Sequence, residues 1–312
     1  MLLDRVKTKL NDLNANNDYI EIPVKNKIPD EINIEKIHEE VYKEAQDAYY
    51  TKNPFTVYPE VEGIDFNVEE AKKVLAEEKD EYIIKLTITK PKVTISQIGS
   101  EAFPDQLSIF TTRYDVSDVN RTTNLRIACQ KINGKVVMPG EIFSYNKTLG
   151  PRTAAAGYKN AKVYEAGQVV DGIGGGICQI SSTLYNAVLM ANLEIAERRN
   201  HQFVPSYVGA GRDATVVYGS IDFKFKNTRN YPIKIVCSVE NGICKFEIFG
   251  LLEENESKIE VYSNVISRTS SYIKSKTYRV IKQNDQIIDN QLIASDTYKV
   301  HKVNKKEVEK FI

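Results

Sequence analysis

The chain has 312 residues, 42% hydrophobic and 27% charged, enough for two domains with cores of their own and not the composition of a disordered chain. Its 42 basic and 42 acidic residues cancel, which argues against a nucleic-acid partner. No apolar run approaches a bilayer span and the opening MLLDRVKTKLND is charged too early for a signal peptide, so the chain reads as cytosolic or as the excised soluble part of something longer.

In chain order, YIEIPV at 19–24 alternates like a strand, and Pro29 ends that extended run. Ile34, Ile37, Val41, Ala45 and Ala48 share one face of a helix running to about Tyr50, with Asp30 or Asn33 as its cap. YPEVEGIDFN is a turn, Val68–Glu77 a second short helix, and Ile83–Ile88 a strand ending at Lys90-Pro91. Residues 1–98 thus read as a small α+β module with no polar cluster that demands a chemical role, a packing or ligand-holding unit.

PKVTISQIGSEAFPDQ is a linker into a second domain at 99–250. There SIFTTRYD reads as a strand and Asp118–Ile132 as a helix with Leu125, Ala128 and Cys129 inward. Asn133-Gly134 turns into the strand KVVM, and Pro139-Gly140 turns again. EIFSYNKTLGPRTAAAGY then reads as a surface loop, long for a structureless connection and therefore a candidate for function. Ala161–Val170 makes strands that lead into three glycines.

Those glycines open the stretch GGGICQISSTLYNAVLMANLEI, where Ile180, Leu184, Val188 and Ala191 have helical spacing. Glycines let backbone run where side chains would collide, and a helix begins with free N–H groups and the positive end of its dipole. A cysteine placed there is biased toward thiolate, so Cys178 reads as a nucleophile rather than as the core residue that a free cysteine usually is. A helix from Cys178 to Ala191 is about 21 Å long, and Asn192 fits its C-terminal turn. Leu193–Asn200 as a strand returns about 26 Å, which brings His201 back to the level of Cys178, where an imidazole can take the thiol proton. Asp213 follows in a Gly-rich bend and either holds the imidazole tautomer or forms a turn with its own backbone.

After the bend, VVYGSIDFKF reads as a long alternating strand, and 231–249 as an antiparallel hairpin on Asn241-Gly242. That turn sets Val239 opposite Cys244 and Cys237 opposite Phe246, so the two cysteines are diagonal neighbours, where a disulfide would be strained and buried free thiols are favoured over it. Residues 251–312 carry short strand-like pieces with a turn at Asn284-Asp285, a β-extension rather than another catalytic domain. No Cys/His cluster has metal spacing, and His38 and His301 lack ligand neighbours, so neither a metal nor a cofactor is expected. The fold class is α+β, a small module followed by a mixed, mainly antiparallel β domain whose central helix carries the cysteine at its N-terminus.

RTTN at 121–124, PGEIFSYN at 139–146, GPRTAAAGY at 150–158, GGGICQISSTLYNAV at 174–188, ERRNHQ at 197–202 and GRDATVVYG at 211–219 together resemble the VanW family, over about Ser108 to Gly250. The preceding module resembles the peptidoglycan-binding unit that often comes before such domains. The resemblance implies an extracytoplasmic protein at the cell wall, held to the membrane only through an N-terminal anchor that this chain lacks. It also implies L,D-transpeptidation, with Cys178 as nucleophile, His201 as base and Asp213 as its partner. A thiolate would attack the carbonyl between the third and fourth residues of a tetrapeptide stem and expel D-alanine, and a side-chain amine of a second stem would resolve the thioester. Gly176, Ile177, Gln179 and Ser181 fall at the oxyanion and positioning places, with backbone N–H groups or the Gln179 amide as donors. Arg121, Asn124, Arg152, Tyr158 and Arg212 fall at substrate-binding places, where the arginines can grip stem carboxylates. Many family sequences carry a histidine where this chain has Arg199, so a two-histidine mechanism is not expected here. The same dyad would serve a cysteine peptidase or amidase with water as acceptor, and a structural Cys178 would leave a non-catalytic wall-binding scaffold.

Overall fold

The helices begin where short polar side chains reach back to free N–H groups, with one exception. In the computed structural model, which describes residues 19–23, 33–52, 55–76, 81–165 and 168–300, there are five α-helices. Asn33 caps α1 (Ile34–Val41), Asn67 caps α2 (Val68–Leu75), Asp118 caps α3 (Val119–Ile132) and Ser144 caps α4 (Tyr145–Leu149), each side chain accepting from the third helical N–H. The fifth, α5 (Ile177–Met190), starts on Gly176 with no side-chain cap. The chain divides into two compact units, Met1–Ile98 and Gly99–Ile312.

In the first unit β1 (Tyr19–Pro23), β2 (Tyr49–Lys52), β3 (Phe55–Tyr58), β4 (Gly63–Asp65), β5 (Glu81–Lys85) and β6 (Thr87–Thr89) pair antiparallel as β1 with β5, β2 with β3 and β4 with β6. Ile34, Ile37, Val41, Phe66, Ala71, Leu75, Tyr82, Ile84 and Leu86 form its core. The helix expected to reach Tyr50 stops at Val41. Beyond it the chain is extended, with Lys43 bridged to Ile64 and Gln46 to Val61. Ala45 lies against Gly63, where an added Cβ would come within 3.0 Å of it, so its spacing serves close backbone approach rather than a helix face. Likewise the expected turn at 58–67 contains β4, and the expected single strand at 83–88 is two strands separated at Leu86. Asp30 and Pro29 lie outside the described residues.

In the second unit β7 (Asp105–Arg113), β8 (Val136–Val137), β9 (Ile142–Ser144), β10 (Asn160–Glu165), β11 (Gln168–Ile173), β12 (Glu194–Glu197), β13 (Lys224–Lys226), β14 (Ile233–Glu240) and β15 (Ile243–Gly250) are likewise antiparallel. They form a sheet in the order β7-β15-β14-β8, a smaller one in the order β12-β13-β9, and the β10–β11 hairpin. The Asn241-Gly242 turn has φ of 50° and 79°, and the register sets Val239 against Cys244 and Cys237 against Phe246. Cys237 Sγ instead lies 3.1 Å from Cys129 Sγ on α3, and all four cysteines are free.

Helix α5 is buried on every side, with Ile180, Leu184, Ala187, Val188 and Leu189 fully enclosed. Each such large side chain contributes about 1.5–3 kcal/mol by leaving water. Its polar residues are matched inward: Ser108 Oγ donates to Ala187 O at 2.7 Å, and Thr112 meets Thr183 at 2.8 Å, which locks α5 to β7. Asn192, at φ 59°, ends it.

Of the expected surface loop at 141–158, residues 151–156 are irregular and mostly exposed, whereas the part before them contains β9 and α4, and Phe143, Tyr145, Leu149 and Tyr158 are all buried. Residues 214–222, expected to begin a long strand, are irregular and hold one Val217–Ile221 bridge before β13. The carboxylate of Asp222 draws that segment into a turn, accepting from Ser144 Oγ at 2.6 Å and Asn146 N at 2.8 Å. The expected short pieces after 251 are three long antiparallel strands, β16 (Lys258–Arg268), β17 (Tyr272–Gln283) and β18 (Gln286–Lys299). Asn284 and Asp285, both at positive φ, turn β17 into β18. These strands read as fragments because β17 turns polar Ser275, Thr277 and Arg279 inward. His301 and the end of YKVHKV lie outside the described residues. The whole is α+β, mostly antiparallel strand.

Candidate active site

The chain reaches Cys178 along a backbone path that only glycine fits. A Cβ on Gly175 would sit 2.7 Å from Ala161 C and O, and Gly174 and Gly176 have φ of 83° and 105°. Asn124, fully buried on α3, pins this path: its Nδ2 donates to Gly175 O at 3.0 Å and to Lys159 O at 2.9 Å. Its Oδ1 accepts from Lys159 N at 2.7 Å, and Tyr145 Oη donates to Ile177 O at 3.0 Å. Cys178 is then the second residue of α5, where no helical carbonyl lies upstream to occupy its own N–H.

The Cys178 side chain is half-buried and its Sγ faces the Val216 carbonyl at 3.5 Å. Burial pushes its pKa up, but the hydrogen bond and positive charge of His201, with help from Arg152, bring it below the ordinary thiol value. Burial alone would lower His201; its hydrogen bonds to Asp213 and Cys178 instead raise it to about 9. Each group thus favours the charged form of the other.

His201 is aimed by Asp213, whose Oδ2 accepts from both the His201 backbone N and Nδ1 at 2.6 Å. That occupies Nδ1 and leaves Nε2 for the sulfur. The loop carrying Asp213 is tied along α5: Ser181 Oγ donates to Ala214 O at 2.7 Å, Ala214 N to Ser182 Oγ at 2.9 Å, and Asn186 Nδ2 to Arg212 O at 2.7 Å. The strand expected to bring His201 back over 193–200 covers only Glu194–Glu197; the rest of the return is held by the Asp213 contacts. Asp213 thus faces the imidazole rather than its own backbone. Burial raises its pKa, but His201, Arg198 and Tyr298 outweigh that and hold the carboxyl below its usual range.

The other anticipated residues divide. Gln179, expected as an oxyanion donor, spends its amide on Thr112 Oγ1 at 3.1 Å and Arg113 O at 2.8 Å, so it faces away from the sulfur. Arg121 donates to Gln179 Oε1 at 2.9 Å. Arg212 is spent on Asn186 and on Val261 O, lying over Phe110. Asn124, Ser181 and Gly176 shape the backbone rather than face a substrate, and Ile177 is buried. Tyr158 is buried with its hydroxyl unpartnered. Arg152 lies over the rings of Tyr145 and Tyr218, gives one nitrogen to Gly150 O at 3.0 Å, and keeps its Nη2 without a partner. Three residues that sequence reasoning passed over join the site. They are Arg198, which bonds Asp213 O and Oδ1, Asp296, which bonds Arg198, and Tyr298, which bonds Asp213. The available signal was a D-x-Y pair with strand spacing in the last described strand, polar where an inner face should be apolar. Among the described residues, no group of acidic, His or Cys side chains has metal-site geometry.

The surrounding sequence is not isolated. The chain is 43% identical over 145 residues to the uncharacterized protein YoaR of Bacillus subtilis (strain 168), covering 46% of this chain and 48% of YoaR, so it spans about half that relative's length. It is 26% identical over 192 residues to the vancomycin B-type resistance protein VanW of Enterococcus faecalis (strain ATCC 700802 / V583), covering 58% of this chain and 70% of that protein. No solved structure matches the chain. Residues 120–249, which hold Cys178, His201 and Asp213, match the family described as VanW like protein.

Proposed function

We propose that the protein is a cysteine-dependent acyltransferase of peptidoglycan stem peptides, an L,D-transpeptidase. The observation that carries the reading is the continuous chain from Cys178 through His201 to Asp213 at the uncapped start of a buried helix. The thiolate attacks the carbonyl of the third stem residue, the C–N bond to D-alanine breaks, and His201 gives its proton to the departing amine. The tetrahedral oxyanion finds the Cys178 N–H, since Gln179 is committed elsewhere. A side-chain amine of a second stem then attacks the thioester, the C–S bond breaks to restore the thiolate, and the amine's proton passes to His201.

Of the three arginines expected at substrate-binding places, Arg152 alone combines a buried, unpartnered nitrogen with an influence on Cys178, which supports it as the grip on a donor-stem carboxylate. The rings of Tyr145 and Tyr218, over which its guanidinium lies, hold it in place by cation–π attraction. Stem peptides lie outside the cytoplasmic membrane, so this reading places the domain there; no helix among the described residues is long and apolar enough to cross a membrane. The Enterococcus relative, whose name ties it to vancomycin resistance, is in keeping with a role at the wall. Incubating the protein with a purified disaccharide-tetrapeptide tests the proposal by product mass. Dimers that have lost one D-alanine are expected, and Cys178→Ala should form none. Shortened monomers without dimers would instead assign a hydrolase, and no mass change would remove the enzymatic reading.

A further inference from the structure

Asp213 is fully buried, and its two oxygens take four donors. Oδ2 accepts from His201 N and Nδ1, while Oδ1 accepts from Tyr298 Oη at 2.6 Å and Arg198 Nη2 at 3.1 Å. An ionised carboxylate survives without water only when its lone pairs are met in this way. Two of the four donors depend on β18. Tyr298 contributes directly, and Asp296 Oδ1 accepts from Arg198 Nη1 at 2.6 Å, holding that guanidinium in place. The Tyr298 hydroxyl has little choice of direction. It accepts from Gly211 N at 2.7 Å, and Asp296 Oδ2, at 3.4 Å, is a poorer target for its proton than Asp213. Both residues lie beyond 249, where the family match ends.

We propose that Tyr298 and Asp296 are positioning residues for the Cys178–His201 pair. In this role β18 fixes the tilt of the Asp213 carboxylate, and through it the direction of His201 Nε2. The proposal rests on reading Cys178 as the nucleophile. Phenylalanine at 298 keeps the ring but removes the bridge between Gly211 N–H and Asp213. The carboxylate is then the acceptor left for that N–H and turns off His201 Nδ1. The titratable and charged groups around the pair are Tyr185 on α5, Arg198, Tyr207, Arg212, Asp296 and Tyr298, with Arg152 and Tyr145 on α4 near the sulfur. Tyr298→Phe alters the hydrogen bonding while leaving every charge in place.

The readouts are the pH profile of Cys178 alkylation by iodoacetamide and the NMR titration of His201, one of three histidines in the chain. Tyr298→Phe is expected to lower the His201 titration point, move the alkylation profile to higher pH and slow alkylation at neutral pH about tenfold. Asp296→Asn, acting through Arg198, is expected to move both in the same direction, and carries the test should Tyr298→Phe fail to fold. Thr277→Val removes the buried Thr277 Oγ1 bond to Gly211 O at 2.9 Å without touching Asp213, and is expected to lower Tm with the profile unmoved. A profile that stays in place in Tyr298→Phe and Asp296→Asn, or moves equally in Thr277→Val, overturns the proposal. Alkylation needs no peptidoglycan, so a shifted profile without stem cross-linking would remove the transpeptidase reading and leave this one standing.

Discussion

A thiolate and an imidazolium side by side pull stability in opposite directions as pH changes. His201 is raised to about 9 in the fold against an ordinary value of 6.5, so its contribution is full below 6.5 and is lost as pH rises through 9. Cys178 is depressed, so its contribution is present above the ordinary thiol value and is lost as pH falls through its lower folded value. In the intact protein the two groups therefore contribute slopes of opposite sign. Cys178→Ala removes the thiolate and, with it, part of what raises His201, so His201 should titrate at lower pH in the variant than in wild type, as read by NMR. An unchanged His201 titration in the variant would mean that no ion pair exists. This much of the site was legible because local signals placed it: a glycine run before Cys178, a helix length that matches the return to His201, an acid in the next bend. Gln179 was misread because its amide partners, Thr112 and Arg113, are distant in sequence and lie on the side away from the sulfur.

Elements were legible where their ends carry their own chemistry. Asn33, Asn67 and Asp118 cap helices at the residues where caps were expected or one residue short of the first apolar position, and Asn-Gly and Asn-Asp dipeptides make the hairpins. They were illegible where pairing across the chain decides. Ala45 and Ala48 keep helical spacing, yet backbone pairing with the 61–64 segment holds that stretch extended. The glycine approach to α5 gives a prediction at this scale. Gly175→Ala sets a Cβ against β10 backbone that cannot swing aside, and should cost about 1–3 kcal/mol in chemical denaturation. Because the same backbone presents Cys178, alkylation should slow as well. Gly99→Ala, with nothing near its Cβ, is the matched control and should do neither.

At the scale of the whole chain, every hydrogen-bond partner described for Cys178, His201 and Asp213 falls within Gly99–Ile312. A polypeptide of residues 99–312 should therefore fold cooperatively and alkylate at Cys178 with the pH profile of the full chain; a displaced profile would assign the first unit a part in the site. The role of the last strands was the least legible feature at this scale. Their inner face is polar, and its purpose emerges only once Asp213 from a remote loop is set against it.

The distribution of sulfur has a practical consequence. Cys129, Cys237 and Cys244 are enclosed in the core, and burial pushes Cys244 up to about 12, while Cys178 alone is partly open to solvent. A stoichiometric electrophile should thus tag the natural polypeptide once, at Cys178. Counting the moles consumed would then report the fraction of competent molecules in any preparation, with no cysteine engineered away.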